Sequence, residues 1–233
     1  MSQGTALIVG VGDGLSASMA RALAARGYDV ALAARNIDKL GDLSRQTGAS
    51  LHRLDATDAD AMAALIRDLP GDLRVAHYNP SARVRAPITT ADPKEVRRAV
   101  EVTAFGAFLM GQAAARRMLA QPGEVKGTIL FTGASAGVKG FAMSAAFAMG
   151  KFAQRGLAQS MARELHPQGI HVAWVNIDGA IRNAARADRT PAAPGADTML
   201  DPDAIATSCL GLIDQHRSAW SDELNLRPWV EKF

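Results

Sequence analysis

The 233-residue chain has a single cysteine, Cys209, which excludes an internal disulfide and a thiolate metal cluster and fits a reducing compartment. Its five histidines, His52, His77, His166, His171 and His216, are dispersed without ligand spacing, so no metal site is expected. Apolar runs long enough to cross a bilayer are missing, and so are the lysine/arginine clusters that track nucleic acid. No basic residue precedes Arg21, and Asp13 interrupts the early apolar run, so a signal peptide is not expected. A cytoplasmic protein without membrane or nucleic-acid partners is therefore expected. Net charge is also low, at +3. The bases are interleaved with acids, as on a solvated surface, although a basic balance also suits an anionic ligand.

What the chain does have is apolar residues, 48% of the total, which suffice for one large core. Short β-rich runs are expected at Thr5–Gly10, Asp29–Ala34, Ser50–Leu54, Leu73–Tyr78, Gly127–Thr132, Ile170–Ile177 and Glu223–Leu226. Between them lie helical patterns: Ser16–Arg26, a helix capped by Asn36 reaching about Gln46, and one opened by Thr57 and Asp58 and ended by Pro70-Gly71. A long helix follows from Pro93 through Met118, then Ala145–Leu165 and Asp201–Asp214. Apolar strands alternating with helices predict an α/β fold of the Rossmann type: one doubly wound parallel sheet of about seven strands, helices on both faces. The chain is read as a single domain, 1–233. Its one irregular stretch of any length, Ala184 to Pro202, falls in a lid expected over 182–202.

Gly10, Gly12 and Gly14 stand between the first strand and the first helix. There they permit positive φ and let the backbone approach a pyrophosphate at the helix N-terminus. The spacing is not Gly-x-Gly-x-x-Gly, because position 15 is Leu15. At the end of the second strand, where an acid would accept from ribose hydroxyls, the chain has Ala34 and Arg35. A guanidinium there suits a 2′-phosphate and favours NADP over NAD.

Phe147 and Lys151, four residues apart on the helix expected from Ala145, share one helical face. The stretch Gly137–Lys151, GVKGFAMSAAFAMGK, resembles the Tyr-x-x-x-Lys signature of the short-chain dehydrogenase/reductase family, with phenylalanine in the tyrosine position. Val9–Ser16 is similar to that family's Thr-Gly-x-x-x-Gly-x-Gly loop, with Gly10 and Gly14 in register and Val9 and Ser16 as departures. The resemblance runs from Thr5 to about Ile181.

It implies hydride transfer between a nicotinamide cofactor and a carbonyl or alcohol. It also implies that Gly10, Gly12, Gly14, Leu15, Arg35, Asp55, Ala56, Asn79, Lys151, Gly179 and Ile181 hold the cofactor, Asp55 facing the adenine. Asn79-Pro80-Ser81-Ala82 stands where the family has Asn-Asn-Ala-Gly. Of the implied catalytic set only Lys151 is present. The tyrosine is Phe147, the serine is Ala134 (with Ser135 beside it), and the asparagine is Thr103. Tyr28 and Tyr78 fall near a helix end and on a strand, so neither replaces the phenol. A general acid contributes roughly 10²–10⁴-fold, so ordinary ketone reduction is expected to be poor.

Asp178, where the family has proline beside the nicotinamide, is a replacement acid if burial raises its pKa, or else an ordinary turn aspartate. Arg182, Arg186 and Arg189 in the lid either grip an anionic substrate or form a solvated basic loop. Two functions stay open: an NADP(H)-dependent oxidoreductase with water, Asp178 or Ser135 supplying the proton, and a catalytically silent NADP-binding partner protein. Small residues such as Gly106, Ala107, Gly111, Ala145, Ala146 and Ala148 fit either helix-on-sheet packing or the dimer interface, commonly within a tetramer, that the resemblance implies.

Overall fold

A computed structural model of the protein describes residues 2–183, 185–190 and 197–230. Seven strands, β1 (Thr5–Val9), β2 (Asp29–Ala34), β3 (Ser50–Arg53), β4 (Leu73–Tyr78), β5 (Gly127–Thr132), β6 (Ile170–Ile177) and β7 (Glu223–Leu226), form one sheet in the order β3-β2-β1-β4-β5-β6-β7. Every pairing is parallel. Parallel strands need crossovers, and seven helices supply them: α1 (Leu15–Ala25), α2 (Gly41–Thr47), α3 (Ala59–Asp68), α4 (Pro93–Val100), α5 (Gly106–Leu119), α6 (Ala145–Leu165) and α7 (Pro202–Ile213). This is the doubly wound α/β architecture expected from the apolar runs.

Alternation along the strands splits the core in two. Leu7 and Val9 of β1 face one layer with Met62, Ile66, Met110 and Ala158 from α3, α5 and α6. Ala6 and Ile8 face the other, with Met19, Leu23, Leu43 and Cys209 from α1, α2 and α7. Helix starts follow local chemistry. Asp58 accepts from Ala61 N, Asp92 from Lys94 N ahead of Pro93, and Asp201 from Asp203 N ahead of Pro202.

Two helices differ from the expectation. Asn36 is not the N-cap expected: it accepts from Asp38 N at 3.0 Å in a turn ahead of a 3₁₀ segment, Asp38–Leu40, whose N-cap is Ile37, and α2 starts only at Gly41, after Leu40. The long helix from Pro93 is interrupted by a one-turn π segment, Glu101–Phe105. Tyr78 Oη donates to the Val102 carbonyl at 2.5 Å, and Gly106 passes so close that a Cβ there would run into the Tyr78 hydroxyl and the Ala56 carbonyl. The extra residue in that turn lets the helix step around the buried phenol.

Residues 184 and 191–196 of the expected lid lie outside the described residues. Its base is tied by backbone bonds, Arg182 N to Leu200 O and Leu200 N to Ala180 O, both 2.8 Å. Among the described residues no helix is long and apolar enough to cross a membrane.

Candidate active site

The strand order reverses between β1 and β4, and an open cleft of about 670 Å³ lies at the carboxyl ends of the strands there. Gly10, Gly12, Gly14, Leu15, Asn79, Ala134, Phe147, Lys151, Gly179 and Ile181 all line it. Arg35, Asp55, Ala56, Thr103, Ser135 and Asp178 do not.

The glycine turn is built for a bulky anion. Gly10 has φ +83°, and a Cβ there would press to 2.6 Å from the Pro80 ring, whereas a Cβ on Gly12 would meet nothing within 4 Å. Gly14 precedes α1 with no side-chain cap, so the helix offers its first amides and positive dipole end to the cleft. Ser16 departs from the resembled loop but has a task. Its Oγ donates to Gly10 O at 3.0 Å and accepts from Asn79 Nδ2 at 2.8 Å, tying the turn to the end of β4. These groups fit a dinucleotide diphosphate: uncapped amides, no carboxylate in the turn other than Asp13, and open space in front of Gly12.

Beside the end of β2, Arg35 is exposed and its carbonyl accepts from Arg53 Nη1 at 3.0 Å. Arg53, whose Nη2 also faces Asp38 Oδ1 at 3.5 Å, thus stands beside Arg35 next to the expected 2′ position. Its sequence signal was only the parallel register that sets it opposite Ala34. Asp55 is more committed than expected. Its Oδ1 accepts from Thr57 N at 3.0 Å and Thr57 Oγ1 at 2.8 Å, and its Oδ2 from Arg98 Nη2 at 2.7 Å. The Thr57 amide, with Arg98 behind it, holds the Asp55 carboxyl below its usual range. Ala56 is buried beneath Gly106.

Lys151 is 2% exposed. Its Nζ donates to Thr132 O at 2.5 Å and to Gln154 Oε1 at 3.2 Å. Burial, with the Arg83 charge adding, lowers its pKa to about 7. Gln154, buried one turn further along α6, donates in turn to Thr103 O at 3.2 Å. Thr103 sits in the π turn, with its Oγ1 accepting from Ala82 N at 3.1 Å, and Gly150 leaves it room. A continuous path therefore runs from the π turn through Gln154 to Lys151 and the end of β5. Thr132 also carries His77 Nε2 on its hydroxyl at 2.7 Å. Burial pushes His77 down to about 4, so its ring is neutral at ordinary pH.

Phe147 and Ala134 pack with Ala136 into a small apolar cluster, in the wall where the resembled family has hydroxyls. Over Phe147 lies a residue the sequence reading missed. The Arg83 guanidinium carbon is 4.1 Å from the ring centroid. Ser135 opens a 3₁₀ turn and its carbonyl accepts from Val138 N and Lys139 N, both at 2.9 Å. Asp178 faces Arg227 at 3.4 Å, and its amide donates to Leu226 O, which suits the turn role rather than an acid in the cleft. Gly179 could not carry a side chain without meeting Leu200 and Pro228 at 2.8 Å. Arg182 is paired with Asp201, and Arg186 and Arg189 share Asp188. Tyr78 is fully buried, and burial raises its pKa, so it is no acid for the cleft. Among the described residues no group of three or more His, Cys, Asp or Glu gathers to hold a metal.

The family model for short chain dehydrogenases matches residues 4–191. The chain is 31% identical over 186 residues to a trans-4-hydroxycyclohexanecarboxylate dehydrogenase of Sinomonas cyclohexanicum, covering 74% of this chain and 70% of that one. Across the first curated relatives it matches, the chain spans between 51% and 70% of their lengths. A short-chain dehydrogenase crystal structure from Rhodopseudomonas palustris is 34% identical and covers 97% of this chain and 99% of its own, with a TM-score of 0.82. A metagenomic short-chain oxidoreductase solved in complex with NADP is 26% identical, covers 99% of each chain and has a TM-score of 0.83.

Proposed function

The chain belongs to the short-chain dehydrogenase family, and from that premise we propose that it binds NADP(H) and transfers hydride to a carbonyl or activated C=C bond, with Lys151 as the source of the proton. The carrying observation is a buried lysine, its pKa near 7, lining a cleft whose wall holds Phe147 in place of a phenol. A general acid works best when its pKa lies near the operating pH. Two of the three Lys151 protons are engaged by Thr132 O and Gln154 Oε1, which leaves one for the cleft. Gln154, braced on the π turn at Thr103, fixes the direction of that last proton.

NADPH supplies the hydride when bound. The uncapped start of α1 and the glycine turn receive its diphosphate. Arg35, with Arg53 beside it, receives the 2′-phosphate, the reason NADP is preferred to NAD. The expected domain, 1–233, is proposed to work as one unit with its 182–202 segment over the cleft. A cytoplasmic location is proposed because the chain has a single cysteine, Cys209, and so no internal disulfide, which fits a reducing compartment. A homodimer, alone or within a tetramer, is proposed from apolar residues exposed on α5, α6 and the π turn.

One observation favours the second reading, a silent NADP-binding partner protein. Phe147, Ala134 and Ala136 close the wall with no hydroxyl. NADPH titration followed by turnover assays with ketones, enals and enoyl thioesters separates the two. Turnover on any class supports the enzyme; tight NADPH binding with silence across the panel supports the partner protein.

A further inference from the structure

The arginines around the cleft divide sharply by partner. Arg182 has Asp201, and Arg186 and Arg189 share Asp188. Arg155, on α6, has Glu223. Arg83 has no hydrogen bond and no ion pair among the described residues; its one contact of note is the face of Phe147. Its side chain is solvent-exposed, but it stands in the cleft with its guanidinium over the Phe147 ring. It lines the cleft, burial lowers its pKa, and the charges of Arg189 and Arg186 lower it further. A guanidinium in a cleft, with no acid paired to it among the described residues, leaves its donors open to an anion.

The stacking also sets what that anion should be. With its carbon held over Phe147, the guanidinium offers forked N–H donors that suit a planar oxyanion. Its position is beside Lys151, whose pKa it depresses, whereas the diphosphate has its own donors at the start of α1. The segment after Arg83 leads to exposed apolar residues. Ala86 N donates to Met143 O at 3.2 Å, linking the Arg83 loop to the loop that exposes Phe141 and Met143, with Ile88 two residues past Ala86.

We propose that Arg83 is the anchor for a carboxylate on the substrate. This rests on the NADP(H) reading for the reaction but not for the binding. An oxyanion at Arg83 has two possible sources, a substrate carboxylate or a cofactor phosphate, and the proposal commits to the first.

Benzoate and its neutral counterpart benzamide are the probes, measured by calorimetry on the chain alone and with NADPH present, while NADPH is titrated separately by its fluorescence. The expected result is that benzoate binds about tenfold or more tightly than benzamide. Arg83→Leu should abolish that preference, Arg83→Lys should keep part of it, and both should leave NADPH affinity within about threefold. Arg35→Leu should do the reverse, weakening NADPH and sparing benzoate. Circular dichroism melts confirm that each variant folds. Equal binding of benzoate and benzamide while NADPH binds normally overturns the assignment of Arg83 and leaves the cofactor reading standing. Benzoate competing with NADPH, or Arg83→Leu weakening NADPH about tenfold, assigns Arg83 to a cofactor phosphate and also overturns it. Benzoate preference without any NADPH binding keeps the Arg83 site and overturns the cofactor reading instead.

Discussion

Lys151 is the residue on which the chemistry turns, because its buried ammonium meets only neutral acceptors, the Thr132 carbonyl and the Gln154 amide oxygen. In the unfolded chain it stays protonated up to its ordinary 10.5; in the fold its pKa falls to about 7. Below 7 both states carry the charge and the folded state bears the full cost of burying it. Between about 7 and 10.5 the unfolded chain holds more protons, so the stability contributed at this site rises with pH, at ~1.4 kcal/mol per unit of displacement. Urea unfolding of the cofactor-free protein at pH 6, 8 and 10 should therefore show wild type gaining on Lys151→Met by a few kcal/mol at most. Parallel profiles would mean the lysine is hydrated in solution. A second prediction concerns the missing hydroxyls. The double variant Phe147→Tyr with Ala134→Ser should create or raise ketone reduction by up to about 10²-fold, the range a positioned acid commands. Steady-state assays on a simple ketone check it, and no gain would mean these two side chains do not face the reacting carbon. At this scale the lysine, the phenylalanine and the alanine were legible in sequence, since their spacing on one helix and one strand end is local. Arg83, Gln154 and Arg53 were not. Arg83 matters through what it lacks, an acid that only the folded chain could have supplied. Gln154 matters through a carbonyl in a distant turn, and Arg53 through a register between strands.

Among the elements, α5 and α6 carry the next consequence. Their buried faces are lined by small residues such as Ala107, Ala114 and Ala158, which settle them on the sheet. Their outer faces show something else. Phe105 and Phe108 stack at 6.0 Å and remain exposed, and Met149 and Phe152 are exposed on the neighbouring α6. The proposed contact between copies of the chain draws on these exposed apolar side chains. Light scattering should give a solution mass of twice or four times 24.5 kDa, and Phe108→Glu with Phe152→Glu should lower it towards the single chain. An unaltered mass in that variant would place the interface elsewhere. The strands and most helix ends were readable from the chain, because buried parallel strands are continuous apolar runs and Asp58, Asp92-Pro93 and Asp201-Pro202 announce helix starts chemically. The π turn was not readable. It is imposed by the Tyr78 phenol pressing on Val102 and Gly106, a contact 24 residues apart in sequence that leaves no trace in helical periodicity.

For the whole molecule, the parallel order β3-β2-β1-β4-β5-β6-β7 brings the glycine turn and Lys151 around one crevice at the point where the winding reverses, with β2 the next strand beyond β1. Ser16 and Asn79 brace the turn, Arg35 and Arg53 stand at one end, and Lys151 and Arg83 at the other. Apart from Arg83, these groups suit a single extended dinucleotide, charged at its diphosphate and its 2′-phosphate, lying across the strand ends. Titration of NADPH and NADH into wild-type protein by calorimetry tests this most directly. The account predicts one NADPH per chain, bound at least about tenfold more tightly than NADH because of the 2′-phosphate on Arg35. Absence of heat for either nucleotide at millimolar concentration would contradict it.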